Sequence, residues 1–552
     1  MTQLVNGLHF RNIRGDIYGG VTAAVVALPL ALAFGVASGA GAIYGMYGAI
    51  IVGFFAAIFG GTPSQVSGPT GPMTVVMTAI ILQYMAHDPE TGLATAFTVV
   101  ILGGLIQIAM GVLKLGRYID FVPYPVLSGF MSGIGVIIII LQLAPLVGQV
   151  TTTDGILAAF SNLPGLLSNP IIDATILGIL TLIIVWFWPA RFNKLIPGSL
   201  LALIVGTVVY LLFFEAGGNV KIIGDIPTGA PEFHLPTYSP ELLIDMLKSA
   251  FVLALLGAID SLLTSLVADN KTRTIHNSDR ELIGQGIGNT VAGFFWGLPG
   301  AGATMRTVVN VRAGGRTPIS GGLHSVILLA IVLGLGSLAE SIPHAVLAGI
   351  LIKVGYDIID WDYVKRLTTA PRIDVLIMIA VLLITVFIDL ITAVGVGVVA
   401  SCLILVNRLH GLQVGNINLI RSPGEETPLT DEEAEIMKAA DGRVLLFHLT
   451  GPISFGAARE MGKQLANIDD YDMLVLDLTD VHLIDTTSCK AIEDIILTHV
   501  ESDRDIYLCG FDDEVYKIMQ RLDILRPMDK QHVLYTREAA LRSVALKLQA
   551  EA

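Results

Sequence analysis

The sequence predicts a polytopic α-helical membrane protein with fourteen transmembrane segments in a 7+7 inverted repeat, followed by a small cytoplasmic α/β domain. Three observations carry this. The 552 residues are 53% hydrophobic and 14% charged, with a mean hydropathy of +0.72, where a soluble protein has about 25% charged residues. The charge is uneven: residues 411–552 hold 14 Lys+Arg and 26 Asp+Glu, against 19 and 21 in residues 1–410. Two Gly/Pro-broken segments, SGPTGPMTVVM from Ser67 and LPGAGATMRTVV from Leu298, repeat one pattern inside otherwise apolar sequence.

Taken in order, the apolar segments centre near Val25, Ile51, Val76, Val100, Ile137, Leu180, Val205, Leu255, Gly288, Val308, Leu329, Ala348, Val381 and Val398, several of them short or interrupted by glycine. The opening MTQLVNGLHFRNIRGD has no small-residue cleavage pattern and reads as the approach to an uncleaved first span. With Arg11 and Arg14 in the cytoplasm, alternate loops carry Lys114/Arg117, Arg191/Lys194, Lys271/Arg273/Arg280, Arg312/Arg316, Lys365/Arg366/Arg372 and Arg408, so 15 of the 19 basic residues fall on one side. The opposite loops HDPETG and VGQVTTTDG have none, and the acidic tail is then cytoplasmic. Twelve spans would keep the same parity.

The two broken segments explain the repeat. Aligning Thr74 with Thr307 gives an offset of 233 residues and matches the third span to the tenth. Seven spans per half is an odd number, so the second copy enters the membrane from the opposite face. Paired Gly/Pro-interrupted segments in the two halves of a transporter mark its binding site. Residues Thr304–Val311 make about 12 Å of helix, where a full span needs about 20 residues.

The domain organisation is 1–410 in the membrane, 411–440 as linker and 441–552 as a soluble domain. In the last, VLLFHLTGPISFG reads as two short strands, MLVLDLTDV as a buried strand, TTSCKAIEDIILTHV as a helix, DIYLCGF as a strand and DEVYKIMQRLDI as a helix. A net charge of −14 argues against nucleic-acid binding. Cys402, Cys489 and Cys509 share no metal-binding spacing and fit free thiols, and His234 and His344 read as loop residues. No P-loop occurs, so ATP is not the energy source.

Half-helices have a use in a membrane. A helix N-terminus offers unpaired N–H groups and about half a positive charge, which attracts anions. In an inverted repeat two such ends, at Thr70 and at Ala303–Thr304, face one cavity near the midplane, with Gly68, Gly71, Gly302, Pro69 and Pro72 letting backbone approach the ligand. Asp260 sits mid-span in SAFVLALLGAIDSLLTSLVADN, where a carboxylate costs at least about 2.5 kcal/mol on insertion scales. Thr264 shares its helix face. With a Gly302 carbonyl, these supply hard oxygens for a small cation; Asp260 as a proton carrier, or paired to Arg306, are the alternatives. Arg306 adds positive charge for an anion, serves as counter-ion to Asp260, or snorkels toward water. Lys353 and Asp389 read as packing or interface charges. In the tail, Asp485-Thr486-Thr487-Ser488 at a strand-to-helix junction reads as an N-cap, with phosphorylation as the functional alternative.

The stretches FRNIRGDIYGGVTAAVVALPLALAFGVASGAGA, PTGPMTVVMTAII, AIDSLLTSLVADN, SDRELIGQGIGN and PGAGATMRTVVN resemble the SulP family of anion transporters, and most closely its BicA-type sodium-dependent bicarbonate transporters; the tail resembles the STAS domain. The resemblance implies a core and a gate bundle, anion binding at Thr70, Ala303 and Thr304 with Arg306 nearby, and sodium as coupling ion at Asp260, Thr264, Gly302 and Thr304. It implies a homodimer formed partly through the STAS domain, Thr486 as a phosphorylatable residue, and a multi-pass protein of the plasma (inner) membrane. Many sulphate-type members carry Pro-Gln-x-x-Ala-Tyr in the first span, where this chain has Pro29-Leu30-Ala31-Leu32-Ala33-Phe34. That loss of polar groups favours a small planar anion. The expectation is therefore a non-enzymatic sodium–bicarbonate symporter with no cofactor. The alternatives are a proton-coupled sulphate or dicarboxylate symporter, and a membrane-anchored signalling protein whose active part is the tail.

Overall fold

The computed structural model describes residues 5–117, 122–149, 156–189, 192, 196–224, 231–237, 240–335, 337–388, 390–414, 417–422, 424, 428–466, 468 and 470–551. Arg191, Lys194, Asp389, residues 150–155 of the VGQVTTTDG loop and parts of the 411–440 segment lie outside them. The chain divides into two compact units, Met1–Val399 and Ala400–Ala552.

The first unit is helical: α1 (Ile13–Ala37), α2 (Ala42–Phe59), α3 (Gly71–His87), α4 (Gly92–Val112), α5 (Tyr124–Leu146), α6 (Ile156–Ser161), α7 (Leu163–Ser168), α8 (Ile172–Phe187), α9 (Gly198–Val209), α10 (Leu243–Thr272), α11 (Ser278–Phe294), α12 (Thr304–Ala313), α13 (Pro318–Leu335), α14 (Ser337–Glu340), α15 (His344–Ile358), α16 (Trp361–Val364), α17 (Arg372–Phe387) and α18 (Leu390–Val414), which runs on into the second unit. All fourteen apolar centres fall inside helices, and His344 begins α15 rather than lying in a loop. By length and composition, six helices among the described residues can each cross a membrane. A seventh candidate is the pair α12 and α13, bent by 112° after Gly314 takes a left-handed φ of 110°. Among the described residues, α8 and the stretch Thr392–Arg408 of α18 are apolar over fewer residues than a full span.

Packing sorts the helices into two groups. In one, α11 lies against α4 and α2, α13 against α1 and α2, and α10 against α4. In the other, α5 packs on α15 and α17, and α8 on α15 and α9. Small residues set the first group's spacing, as expected where lipid gives helices no hydrophobic reason to associate. At the α4–α11 crossing a Cβ on Gly104 would stand 2.6 Å from the Gly286 carbonyl, and one on Gly286 equally close to the Gly104 carbonyl. On α1 the buried Gly19, Gly20, Ala23, Ala24, Ala27 and Ala31 do the same work. Lys353 on α15 pairs with Asp357 one turn on and lies over the Trp186 ring, a packing charge as the sequence suggested.

The second unit carries a five-stranded sheet, β3 (Ile417–Ile420), β4 (Val444–Thr450), β5 (Met473–Asp480), β6 (Asp505–Cys509) and β7 (Val533–Leu534), in that spatial order. Only the β3–β4 pairing is antiparallel. Alternation along the strands serves two cores. Leu445, Phe447, Leu474, Leu476 and Leu508 face α20 (Phe455–Ala466), α21 (Thr486–Glu501) and α22 (Asp513–Arg521). Leu446, Val475, Tyr507 and Cys509 face α19 (Asp431–Ala439) and α23 (Arg537–Glu551). Parallel strands covered on both faces read as continuous apolar runs, which is why MLVLDLTDV was legible. Two expectations need correction. VLLFHLTGPISFG forms a single strand; Ile453 makes an isolated bridge to Ile484, and α20 starts at Phe455. The 411–440 segment contains β3 on the sheet edge and α19, whose Thr430 and Glu433 form a capping box. A polar, Glu-rich composition concealed a helix whose apolar side is only Ile436, Met437 and Ala440.

Candidate functional site

Two short strands sit at the heart of the first unit. β1 (Ser67–Gly68) pairs antiparallel with β2 (Ala301–Gly302), Ser67 opposite Gly302 and Gly68 opposite Ala301. Gly68 has φ 148°, and a Cβ there would stand 2.7 Å from an Arg306 nitrogen, so glycine is required on both counts. Each strand leads within three residues into a helix, and the helix starts at Gly71 and Thr304 are 233 residues apart, the offset of the sequence repeat. Both N-caps, Thr70 and Ala303, are extended, and neither caps its helix with a side chain. The first-turn N–H groups are therefore free of helical and capping partners, apart from Pro72, which has none.

α10 connects the two helix starts. Asp260, 5% exposed, accepts a hydrogen bond from the Thr70 hydroxyl at 2.7 Å. One turn on, the buried Thr264 hydroxyl lies 2.9 Å from the Gly302 carbonyl and 2.7 Å from the Thr304 hydroxyl. Ser261 accepts from the Gly302 N–H at 3.1 Å. The structure thus brings Thr70, Asp260, Thr264, Gly302, Ala303 and Thr304 together. Thr304 and Met305 are exposed, so the start of α12 opens outward while Asp260 and Thr264 stay buried. The oxygens of Asp260, Thr264, Thr304 and Gly302 form a hard donor set suited to a small cation.

Arg306 reaches from α12 to the other repeat. It is 2% exposed, and its guanidinium donates to the Pro69 carbonyl. Among the described residues it forms no ion pair with Asp260, and its Nη1 has no hydrogen-bond partner. It does not snorkel. A side chain from α12 thereby holds the loop that leads into α3.

Behind the strands lies a polar layer that sequence reasoning missed. Glu281, 1% exposed, accepts from the Gly61 and Thr62 N–H groups at 2.8 and 2.9 Å and from Gln65 and Gln285 at 2.7 and 2.8 Å. Gln285 also reaches Ser67, and Asn289 bonds both N–H and carbonyl of Gly300 at 2.8 and 2.9 Å. Glu281, Gln285 and Asn289 recur every four residues on one stripe of α11, within the quoted SDRELIGQGIGN, and that spacing was the available signal.

In the second unit, Asp485 caps α21 by accepting from the Ser488 N–H at 2.7 Å and also takes the Phe455 N–H at 2.8 Å. Thr486 is exposed in the first turn of α21. Deeper in, Asp477 bonds His448 at 2.7 Å and Arg537 at 3.2 Å, and Arg537 meets Glu433 at 3.0 Å. Burial raises the Asp477 pKa, but hydrogen bonds from His448 and Thr479 outweigh it and hold the carboxyl below the usual range.

Residues 13–381 match the sulfate permease family and residues 435–540 the STAS domain. The chain is 48% identical to the bicarbonate transporter BicA of Picosynechococcus sp., over 99% of this chain and 97% of that protein. It is 47% identical to the BicA of Synechocystis sp. over the same shares. The solved transmembrane domain of a cyanobacterium bicarbonate transporter BicA superposes with a TM-score of 0.68 at 55% identity, covering 71% of this chain and 100% of that one. Murine solute carrier 26 family member A9 in the inward-facing state shares the fold, with a TM-score of 0.82 at 20% identity over 98% of this chain and 92% of that one. The chain belongs to the sulfate permease family, and is accordingly a polytopic helical membrane transporter, not an enzyme, with a C-terminal STAS domain.

Proposed function

We propose that the chain is a sodium-dependent bicarbonate symporter that takes up inorganic carbon by alternating access. The supporting observation is the pair of uncapped helix starts tied together by β1 and β2, with Asp260 and Thr264 of α10 touching both. The free first-turn N–H groups that follow Thr70 and Ala303 attract the anion, and the oxygens of Asp260, Thr264, Gly302 and Thr304 attract sodium. Placing the two charges side by side lowers the electrostatic cost of carrying either through a low-dielectric path. The identity with BicA proteins over nearly the whole chain supports bicarbonate as the anion. In this reading the fourteen helical segments are fourteen passages in a 7+7 inverted repeat. The group of α1–α4 with α10–α13 is the core bundle, and the group around α5, α8, α9, α15 and α17 is the gate. The protein resides in the plasma membrane with its N-terminus and STAS domain in the cytoplasm, assembles as a homodimer partly through that domain, and carries Thr486 as a phosphorylatable position.

Uptake of radiolabelled bicarbonate into proteoliposomes tests the proposal. An inward sodium gradient drives uptake, choline in its place abolishes it, and sulphate does not compete. Uptake unchanged by choline at fixed pH, or driven by a proton gradient with sulphate as competitor, overturns it in favour of the proton-coupled carrier.

A further inference from the structure

The start of α3 is covered on one side by hydrocarbon. Gly71 opens this helix, buried, one residue after the Thr70 that bonds Asp260. A Cβ on Gly71 would stand 2.8 Å from the Cδ1 methyl of Ile138 on α5 and 2.8 Å from that of Ile358 on α15. Apart from Gly71's chain neighbours and the backbone of its own helix, no other atom of the described residues lies within 4 Å of that point. Ile138 is buried and Ile358 half-buried.

One device, used twice, places the two isoleucines. α5 and α15 cross at Gly135 and Gly355: a Cβ on Gly135 would stand 2.5 Å from the Gly355 carbonyl, and one on Gly355 would stand 2.8 Å from the Gly135 carbonyl. Backbones this close leave the residues one turn further along each helix flanking the crossing. Those residues are Ile138 and Ile358, each three positions after its glycine. In the proposed repeat α5 and α15 are the fifth passages of the two halves, so the gate presents the same Gly-x-x-Ile pattern once from each half. A β-branched side chain on a helix keeps one strongly preferred χ1 rotamer, which makes the pair a stiff wall. The other helix start differs, since Thr304 and Met305 at the beginning of α12 are exposed.

We infer that Ile138 and Ile358 set the anion specificity of this site: their Cδ1 methyls cap the start of α3 and limit the size of the anion that fits against its first-turn N–H groups. This rests on the proposed transport of bicarbonate. A methyl group forms no hydrogen bond, so the anion turns its acceptor edge to the N–H groups of the core and its remaining substituent to the isoleucines. A hydroxyl fits in that place, and a longer substituent meets the two methyls. In an apolar pocket one carbon more or less is worth about 10–200-fold in discrimination.

Sodium-driven uptake of radiolabelled bicarbonate into proteoliposomes holding the full chain, with unlabelled bicarbonate or propionate as competitor at fixed pH, tests this. Propionate has the same charge and carries an ethyl group where bicarbonate carries its hydroxyl. In the wild type, propionate inhibits at least about tenfold more weakly than bicarbonate. Ile138→Val and Ile358→Val each delete only the Cδ1 methyl that reaches Gly71. The double variant melts within a few degrees of wild type and narrows the gap at least about tenfold, and each single variant narrows it in part. The missing hydroxyl is common to both measurements, so the change reports size alone. Lost packing without a part in specificity would slow uptake and leave the gap where it was. The inference is overturned if propionate competes as well as bicarbonate in the wild type, or if the folded double variant, or the two single variants where the double does not fold, keep the wild-type gap. A wild type without sodium-driven bicarbonate uptake overturns instead the reading on which the inference rests.

Discussion

Asp260→Asn separates charge from shape at the site. The carboxamide keeps the size of the side chain, and its oxygen still accepts the Thr70 hydroxyl, the 2.7 Å bond that joins α10 to the start of α3. The charge alone is lost. A unit charge about 4 Å away at an effective dielectric of about 20 is worth about 4 kcal/mol. At 1.4 kcal/mol per decade, that corresponds to about a thousandfold weaker sodium affinity. The variant should therefore fold, with a melting temperature within a few degrees of wild type, and lose sodium-gradient-driven bicarbonate uptake at concentrations that saturate the native protein. The measurements are initial uptake rate in proteoliposomes against sodium concentration, and thermal melting of the same preparation. A folded variant with sodium-driven uptake within about twofold of wild type, which is under half a kilocalorie, would falsify the placement of sodium at this carboxylate.

Arg306→Lys keeps the charge but not the fork that reaches the Pro69 carbonyl. It should lower uptake and melting temperature, by about 1–3 kcal/mol for the carbonyl left behind; an unchanged variant would return Arg306 to the role of a simple charge for the anion. Gly286→Val places atoms against the Gly104 carbonyl, and overpacking of this kind costs about 1–3 kcal/mol or more, read as reduced yield of folded protein and a lower melting temperature. Asp477→Asn breaks a buried charge network with His448 and Arg537 and should cost the STAS domain about 3–5 kcal/mol, seen in denaturant melts of the full chain. Because the Asp477 carboxyl titrates below its ordinary range when folded, its stabilisation is complete above that range and is lost as pH falls from there through the lower folded value. The variant's melt should therefore depend less on acid pH than the native one. Asp485→Ala removes the α21 cap and should cost about 1 kcal/mol by the same melts.

The fold was legible where one physical requirement governs a whole segment. Apolar length marked the helices, and the offset between the two broken segments reappears as the spacing of the helix starts at Gly71 and Thr304. A carboxylate as isolated as Asp260 stands out because nothing else excuses its cost in a span. What stayed hidden depends on direction rather than composition. Arg306 could reach an anion, Asp260 or water from its place on α12, and only the packed structure turns it to Pro69. Glu281 lies in the first turn of α11, and only the fold brings four donors from α11 and the loop after α2 to it. In the soluble part, α19 and β3 escaped notice because each presents few apolar residues and draws its order from neighbours distant in sequence.

The two-residue ladder between β1 and β2 has a mechanical corollary. Ser67 and Gly302 face each other across it, so the beginnings of α3 and α12 cannot separate without first rupturing buried backbone bonds. In the proposed symport, cargo and coupling ion therefore ride on a single stiff cradle. Any stroke that moves them must slip along the seam where α1 and α3 brush against α15 and α5, and drugs or mutations that jam transport without emptying the cradle should cluster along that seam.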